Sequence, residues 1–273
     1  MSGTLYVVGT PIGNMSDFSP RAIETLCKVD FIAAEDTRVT VKLLNRFEIK
    51  KEMLSYYEHN KNAKGNLIIS RILNGESCAL VSDAGMPAIS DPGEDLVREA
   101  HKAGIKVESV PGPSALITAI SISGFPCGRF CFEGFLSMNK INRRKHLDEL
   151  RREKRTMIFY EAPHKLPATL KDMLSYFGDR KIILVRELTK IHETVHQTTL
   201  SEAIGYYDEN SPKGEFVLII EGFSEEEKQY TLEDALKIAE DLIKNGESTS
   251  SAAKKSAEMT GIKKGDIYKA LIG

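Results

Sequence analysis

The chain has 273 residues, 41% hydrophobic and 28% charged, which fits one large or two small globular domains and argues against global disorder. Lys plus Arg number 37 and Asp plus Glu 39, a formal net charge of −2, so any nucleic acid must be held by local patches and not by bulk charge. Four cysteines with no C-x-x-C pair point to reduced thiols and a cytoplasmic protein, and neither a secretory leader nor an apolar run near the roughly 20 residues of a membrane span is visible.

In chain order, Leu5–Gly9 reads as a buried strand and Arg21–Lys28 as part of a helix. Short apolar runs follow at 31–34, 78–82 and 107–110, with helical spacing between them, as in Leu67-Ile68 and Ile72-Leu73. Strands alternating with helices predict an α/β fold with a mostly parallel sheet covered on both faces. The turn-rich stretch Ser123–Gly128 divides an N-terminal α/β domain, 1–122, from a second one, 123–222. In the second, 130–132, 157–160, 182–185 and 216–220 read as strands, and β-branched 195–200 is a candidate antiparallel strand. Residues 223–273 form a third part, with a charged hinge at Glu225-Glu226-Glu227. Three short helices follow at 232–243, 248–259 and 264–271, a candidate helix-turn-helix-like module.

Three loops stand out, each directly after a strand. Gly9-Thr10-Pro11-Ile12-Gly13-Asn14 allows close backbone approach to a ligand, but it matches neither G-x-G-x-x-G nor the Walker spacing. A tight strand-to-helix turn accounts for it equally well. Ser82–Gly93 packs two Asp, two Gly and two Pro into twelve residues, more punctuation than a plain connection needs. Within it Asp91-Pro92 reads as a helix N-cap with Pro at N1, leaving Asp83–Ile89 for a ligand. Pro111–Ala115 closes the set and opens a helix.

With these loops the chain resembles the tetrapyrrole-methylase-like class of S-adenosylmethionine-dependent methyltransferases. Within that class it is similar to those that methylate a cytidine ribose of small-subunit ribosomal RNA. The resemblance also rests on Ala34–Arg38, Phe159–Lys165, Arg186–Lys190 and Gly214–Leu218, and it spans about residues 5 to 222. It implies two α/β domains with the cofactor in the cleft between them, a small C-terminal helical module, and a homodimer. It implies that Gly9, Pro11 and Gly13, then Asp83, Ala84, Gly85, Pro87, Ala88 and Ile89, then Ser114 and Ala115, line an S-adenosylmethionine pocket. A donor without phosphates suits a chain without a phosphate cradle. The implied activity is 2′-O-methylation of a 16S ribosomal RNA cytidine, on naked RNA or the assembled small subunit. A base could take the hydroxyl proton, and Glu35, Asp36, Glu161, Glu187 and Glu193 are the candidates, none singled out.

The segment Met138–Arg155 is the basic one, with Lys140, Arg143, Arg144, Lys145, Arg151 and Arg152 as candidate phosphate ligands on a helix read from Lys140 to Arg155. His192-Glu193-Thr194-Val195-His196 matches H-E-x-x-H, but that zinc motif works only on a helix. Here it sits among β-branched residues, so no metal is expected. Two rivals keep the fold: a precorrin-type methylase with a tetrapyrrole substrate, and a non-catalytic RNA-binding protein. The intact cofactor loops argue against the second, and the basic segment favours RNA over the first.

Overall fold

The computed structural model describes residues 2–224 and 230–272, so the charged hinge read at Glu225-Glu226-Glu227 lies outside the described residues. It divides into two compact units, Met1–Phe223 and Ser224–Gly273.

The first unit holds two five-stranded sheets. The N-terminal one comprises β1 (Thr4–Val8), β2 (Phe31–Ala34), β3 (Glu52–Ser55), β4 (Cys78–Val81) and β5 (Lys106–Val110), all parallel, in the order β3-β2-β4-β1-β5. β2 and β4 are buried at every position, as apolar runs in a parallel sheet covered on both faces should be. Alternate residues feed opposite cores. Ile32, Ala34 and Val81 meet α1 (Pro20–Lys28) and α2 (Thr37–Arg46). Phe31, Ala33 and Leu80 meet α3 (Lys61–Leu73) and α4 (Glu94–Lys102). Because β4, β1 and β5 are parallel neighbours, the three punctuated loops leave the same edge of the sheet side by side. Open α/β sheets bind ligands at such an edge.

The second sheet runs β6-β7-β10-β8-β9, from β6 (Phe130–Phe135), β7 (Thr156–Glu161), β10 (Phe216–Ile220), β8 (Lys181–Arg186) and β9 (Thr194–Thr199). Only β6 and β7 are parallel; β9 is the antiparallel edge strand that its β-branched residues predict. β10 sends Phe216, Leu218 and Ile220 toward α7 (Leu166–Phe177) and α8 (Leu200–Glu209), and Val217 and Ile219 toward α5 (Ala115–Ser123). α5 thus begins in a loop of the first sheet and buries Ala119 and Ile120 on the second.

Two sequence expectations fail locally. The basic helix, α6, spans only Lys140–Glu149. Its last turn closes on the Leu150 N–H, and the Arg180 guanidinium donates to the Arg151 carbonyl at 2.5 Å, so Arg151 and Arg152 sit on a turn beyond it. α4 is capped by Gly93 with no side-chain hydrogen bond, so Asp91 is not its N-cap.

Among its described residues the second unit has three helices, α9 (Leu232–Lys244), α10 (Thr249–Thr260) and α11 (Lys264–Ile272). A capping box of Thr231 and Asp234 starts α9, and Gly261 in the left-handed conformation ends α10. Ala235, Ala239, Ala252, Ala253 and Ile267 form its core; small residues there let α9 and α10 approach closely.

Candidate active site

The loop after β1 is tied down by backbone. Gly9 N–H donates to the Val110 carbonyl at 3.1 Å, and Thr10 and Gly85 exchange hydrogen bonds of 2.9 and 3.1 Å. A Cβ on Gly9 would lie 2.7 Å from Gly112 Cα and from Met86 Sδ. Gly9 is therefore a packing glycine, required where two strand-end loops touch. A Cβ on Gly13 would meet Lys190 Cγ at 2.6 Å, so that glycine admits the loop after β8.

The loop after β4 is strained. Ala88 and Ser90 have φ of +68° and +63°, a region that costs a non-glycine residue about 1–2 kcal/mol each. Such strain persists where the surrounding structure imposes it, and often at functional sites. This loop walls a cavity of about 430 Å³, within the roughly 300–1,000 Å³ common for small-molecule sites. From the first sheet's loops come Ile12, Ala84, Gly85, Ile89, Ser114 and Ala115. The opposite wall comes from the second sheet, with Phe135, Tyr160, Glu161, Val185, Leu188 and Phe216. Of the sequence candidates for cofactor binding, Ala84, Gly85, Ile89, Ser114 and Ala115 are in the wall. Gly9, Pro11, Gly13, Asp83, Pro87 and Ala88 are not; of these, Gly9, Gly13 and Asp83 tie neighbouring loops together beside it.

Carboxylates gather at one end. Asp83 Oδ1 accepts from Asp36 N–H at 3.1 Å, and Asp83 N–H donates to Glu35 Oε2 at 3.4 Å. Burial pushes the Glu35 and Asp83 carboxyls above their ordinary range. Asp91, in the cavity wall, is pushed up to about 7, first by burial and then by the charge of Glu35; a hydrogen bond from Ser82 opposes the shift. Asp36 behaves differently. It caps α2 and pairs with Arg38 at 2.6 Å, which holds it down at about 2.

The remaining candidate carboxylates separate by role. Glu161 is buried in the wall, where it accepts from Ala162 N–H at 2.8 Å and Thr169 Oγ1 at 2.5 Å. Thr169 Oγ1 in turn accepts from Arg143, whose Nε reaches Asp172 at 2.5 Å. Arg143 is only 13% exposed; it ties α6 to α7 and to the cavity, while Lys140, Arg144, Lys145, Arg151 and Arg152 are exposed. Glu187 accepts from Glu215 N–H and Lys190 Nζ, both at 3.0 Å, and these bonds hold it below the usual range. Glu193 accepts from Thr189 N–H at 2.6 Å. Both shape the loop after β8 and stand off the cavity wall. His192 lies in a turn and His196 on β9 against Tyr206, so the H-E-x-x-H residues do not share a helix face.

Asp91 is thus a cavity-wall residue and not a helix cap, and the wall also takes Phe135 and Tyr160, neither of them a candidate site residue in the sequence, although Tyr160 lies in the Phe159–Lys165 string. Tyr160 accepts from Leu116 N–H at 2.9 Å and so pins the start of α5 at the cavity. A signal for Phe135 lies in the glycine before it, since glycine inside a strand pattern marks a bulge.

The model of the Tetrapyrrole (Corrin/Porphyrin) Methylases matches residues 4–204. Ribosomal RNA small subunit methyltransferase I of Synechocystis sp. is 46% identical, over 97% of this chain and 96% of that protein. The protein of the same name from Xylella fastidiosa is 49% identical, over 97% and 98%. Among solved structures, the methyltransferase CobJ superposes with a TM-score of 0.62 at 19% identity, over 81% of this chain and 95% of that one, a likeness of fold. The chain belongs to the tetrapyrrole methylase family and, within it, to the ribosomal RNA small subunit methyltransferase I group.

Proposed function

We propose that the chain transfers a methyl group from S-adenosylmethionine to the ribose 2′-hydroxyl of a cytidine in small-subunit (16S) ribosomal RNA. The observation that carries this reading is the near full-length identity with proteins named for small-subunit ribosomal RNA methylation, in a chain with a donor-sized cavity at its strand-end loops. The wall suits the donor. Ile12, Ala84, Val185 and Leu188 offer an apolar surface, Ser90 and Ser114 short polar groups, and Asp91 and Glu161 negative charge toward a cationic ligand.

When bound, S-adenosylmethionine supplies a methyl group already activated on a sulfonium. The chain's contribution is alignment and the exclusion of water by the apolar wall. Asp91 would accept the proton of the 2′-hydroxyl as its oxygen bonds the methyl carbon and the carbon–sulfur bond of the sulfonium breaks, so that a neutral thioether leaves. It is the wall carboxylate whose proton affinity lies near neutral pH, where a general base works best. Glu161 is already engaged by Thr169 and Ala162 and serves to hold the wall. Lys140, Arg144, Lys145, Arg151 and Arg152 bind the phosphates. The protein acts in the cytoplasm as a homodimer, on naked RNA or on the assembled small subunit.

The test offers methyl-labelled donor with small ribosomal subunits that lack the modification, and with a precorrin-type tetrapyrrole as control. Label in the RNA alone is expected. Label in the tetrapyrrole alone would replace this reading with the precorrin-type one, and label in neither would favour a non-catalytic RNA binder.

A further inference from the structure

The cavity rim carries an aromatic side chain that the core does not use. Phe135 ends β6, an edge strand, and lines the cavity while 53% exposed. Its direction is set by the backbone. β6 pairs in register with β7 through Phe132, shifts at a bulge, and resumes with Gly134 opposite Phe159 and Phe135 opposite Tyr160. Bulges beside sites re-aim side chains. Gly134 has a φ of +62°, and a Cβ there would lie 3.2 Å from Ser90 Oγ. Bulge and glycine together bring the strand end against the strained loop, one residue from Asp91.

The ring is supported without being stacked upon. Tyr160 meets it edge-to-face, with centroids 5.6 Å apart and planes at 64°. Past Phe135 the chain carries the exposed Met138 and Ile141, 76% and 77% accessible, and then the exposed cations Arg144 and Lys145 of α6. An apolar planar platform in the same cavity wall as a carboxylate, with a basic helix starting a few residues further along the chain, matches one nucleotide: base, ribose hydroxyl and flanking phosphate. Single-stranded RNA is commonly gripped by stacking its bases on aromatic side chains.

We propose that Phe135 is the platform on which the base of the target nucleotide stacks, a positioning residue that sets the ribose 2′-hydroxyl beside Asp91. The inference rests on the RNA reading above. Its rival occupant is the adenine of the donor.

The test compares Phe135→Ala, Phe135→Leu and Phe135→Trp on small ribosomal subunits, with S-adenosylhomocysteine affinity measured by calorimetry. Phe135→Ala is expected to lower kcat/KM for the subunit by about 5- to 150-fold, mainly through KM, with S-adenosylhomocysteine affinity within about twofold of wild type. Phe135→Trp should restore kcat/KM and Phe135→Leu should not, since leucine fills volume without a π-face. The platform is overturned if Phe135→Ala matches wild type, if leucine rescues as fully as tryptophan, or if donor-product affinity falls in step with kcat/KM. Should the alanine variant fail to fold, the leucine and tryptophan pair still decides. Failure of the wild-type chain to methylate subunits would strike the RNA reading itself; an active wild type with an indifferent Phe135 would strike only the platform.

Discussion

Asp91 is held close to two other carboxylates, and both its pH behaviour and its effect on stability follow from that. If it takes the 2′-hydroxyl proton, kcat/KM should rise with pH through a limb centred near 7. Glu35→Gln removes a like charge, so ionised Asp91 becomes easier to form and the limb should move to lower pH. An unmoved limb would assign the titration elsewhere. The same shift has a sign for folding. The folded chain binds the Asp91 proton more tightly than the unfolded chain, so stability falls as pH rises from the ordinary 3.8 to about 7 and stays lowered above. Asp91→Asn should therefore raise Tm most at pH 8, by less at pH 5 and hardly at all below the ordinary 3.8, and lower activity by roughly 10²- to 10⁴-fold. Gly9 belongs to a different class. Gly9→Ala drives a methyl group against the Gly112 backbone and should destabilise by about 1–3 kcal/mol in urea unfolding.

At the scale of elements, α6 carries two kinds of arginine. Arg144→Ala with Lys145→Ala should weaken RNA binding and flatten its salt dependence by about one unit of slope for each phosphate no longer neutralised, leaving stability unchanged. Arg143→Ala should instead cost about 1.5–3 kcal/mol of stability, because it removes charge-assisted bonds to Asp172 and Thr169. Equal loss of RNA affinity in both, with no stability change in either, would contradict the distinction. Sequence could not separate these residues: charge marks a basic run, whereas partners depend on which helix packs alongside. The runs Phe31–Ala34 and Cys78–Val81 were legible because burial on both faces leaves only apolar residues. β3 was not, since Glu52–Ser55 is a short edge strand with an exposed start and no apolar run. The end of α6 escapes a local reading because Arg180, which holds the Arg151 carbonyl, lies far along the chain.

For the whole molecule, one half of the cavity was readable from its loops, whereas the other showed only as strands and the single candidate Glu161. Loops at parallel strand ends announce themselves through Gly, Pro and Asp, and sheet order then places three of them together. The opposite wall is made of Tyr160, Val185 and Phe216, ordinary strand residues that meet the loops only because α5 starts in one sheet's loop and packs on the other sheet. The proposed chemistry depends on both walls enclosing one methyl donor and one ribose. The most direct measurement is nucleoside analysis of small-subunit RNA after reaction of the purified chain with labelled donor and unmodified subunits. The label is expected in a single cytidine, as 2′-O-methylcytidine. Label on a base carbon or nitrogen, with the ribose unmodified, would contradict it.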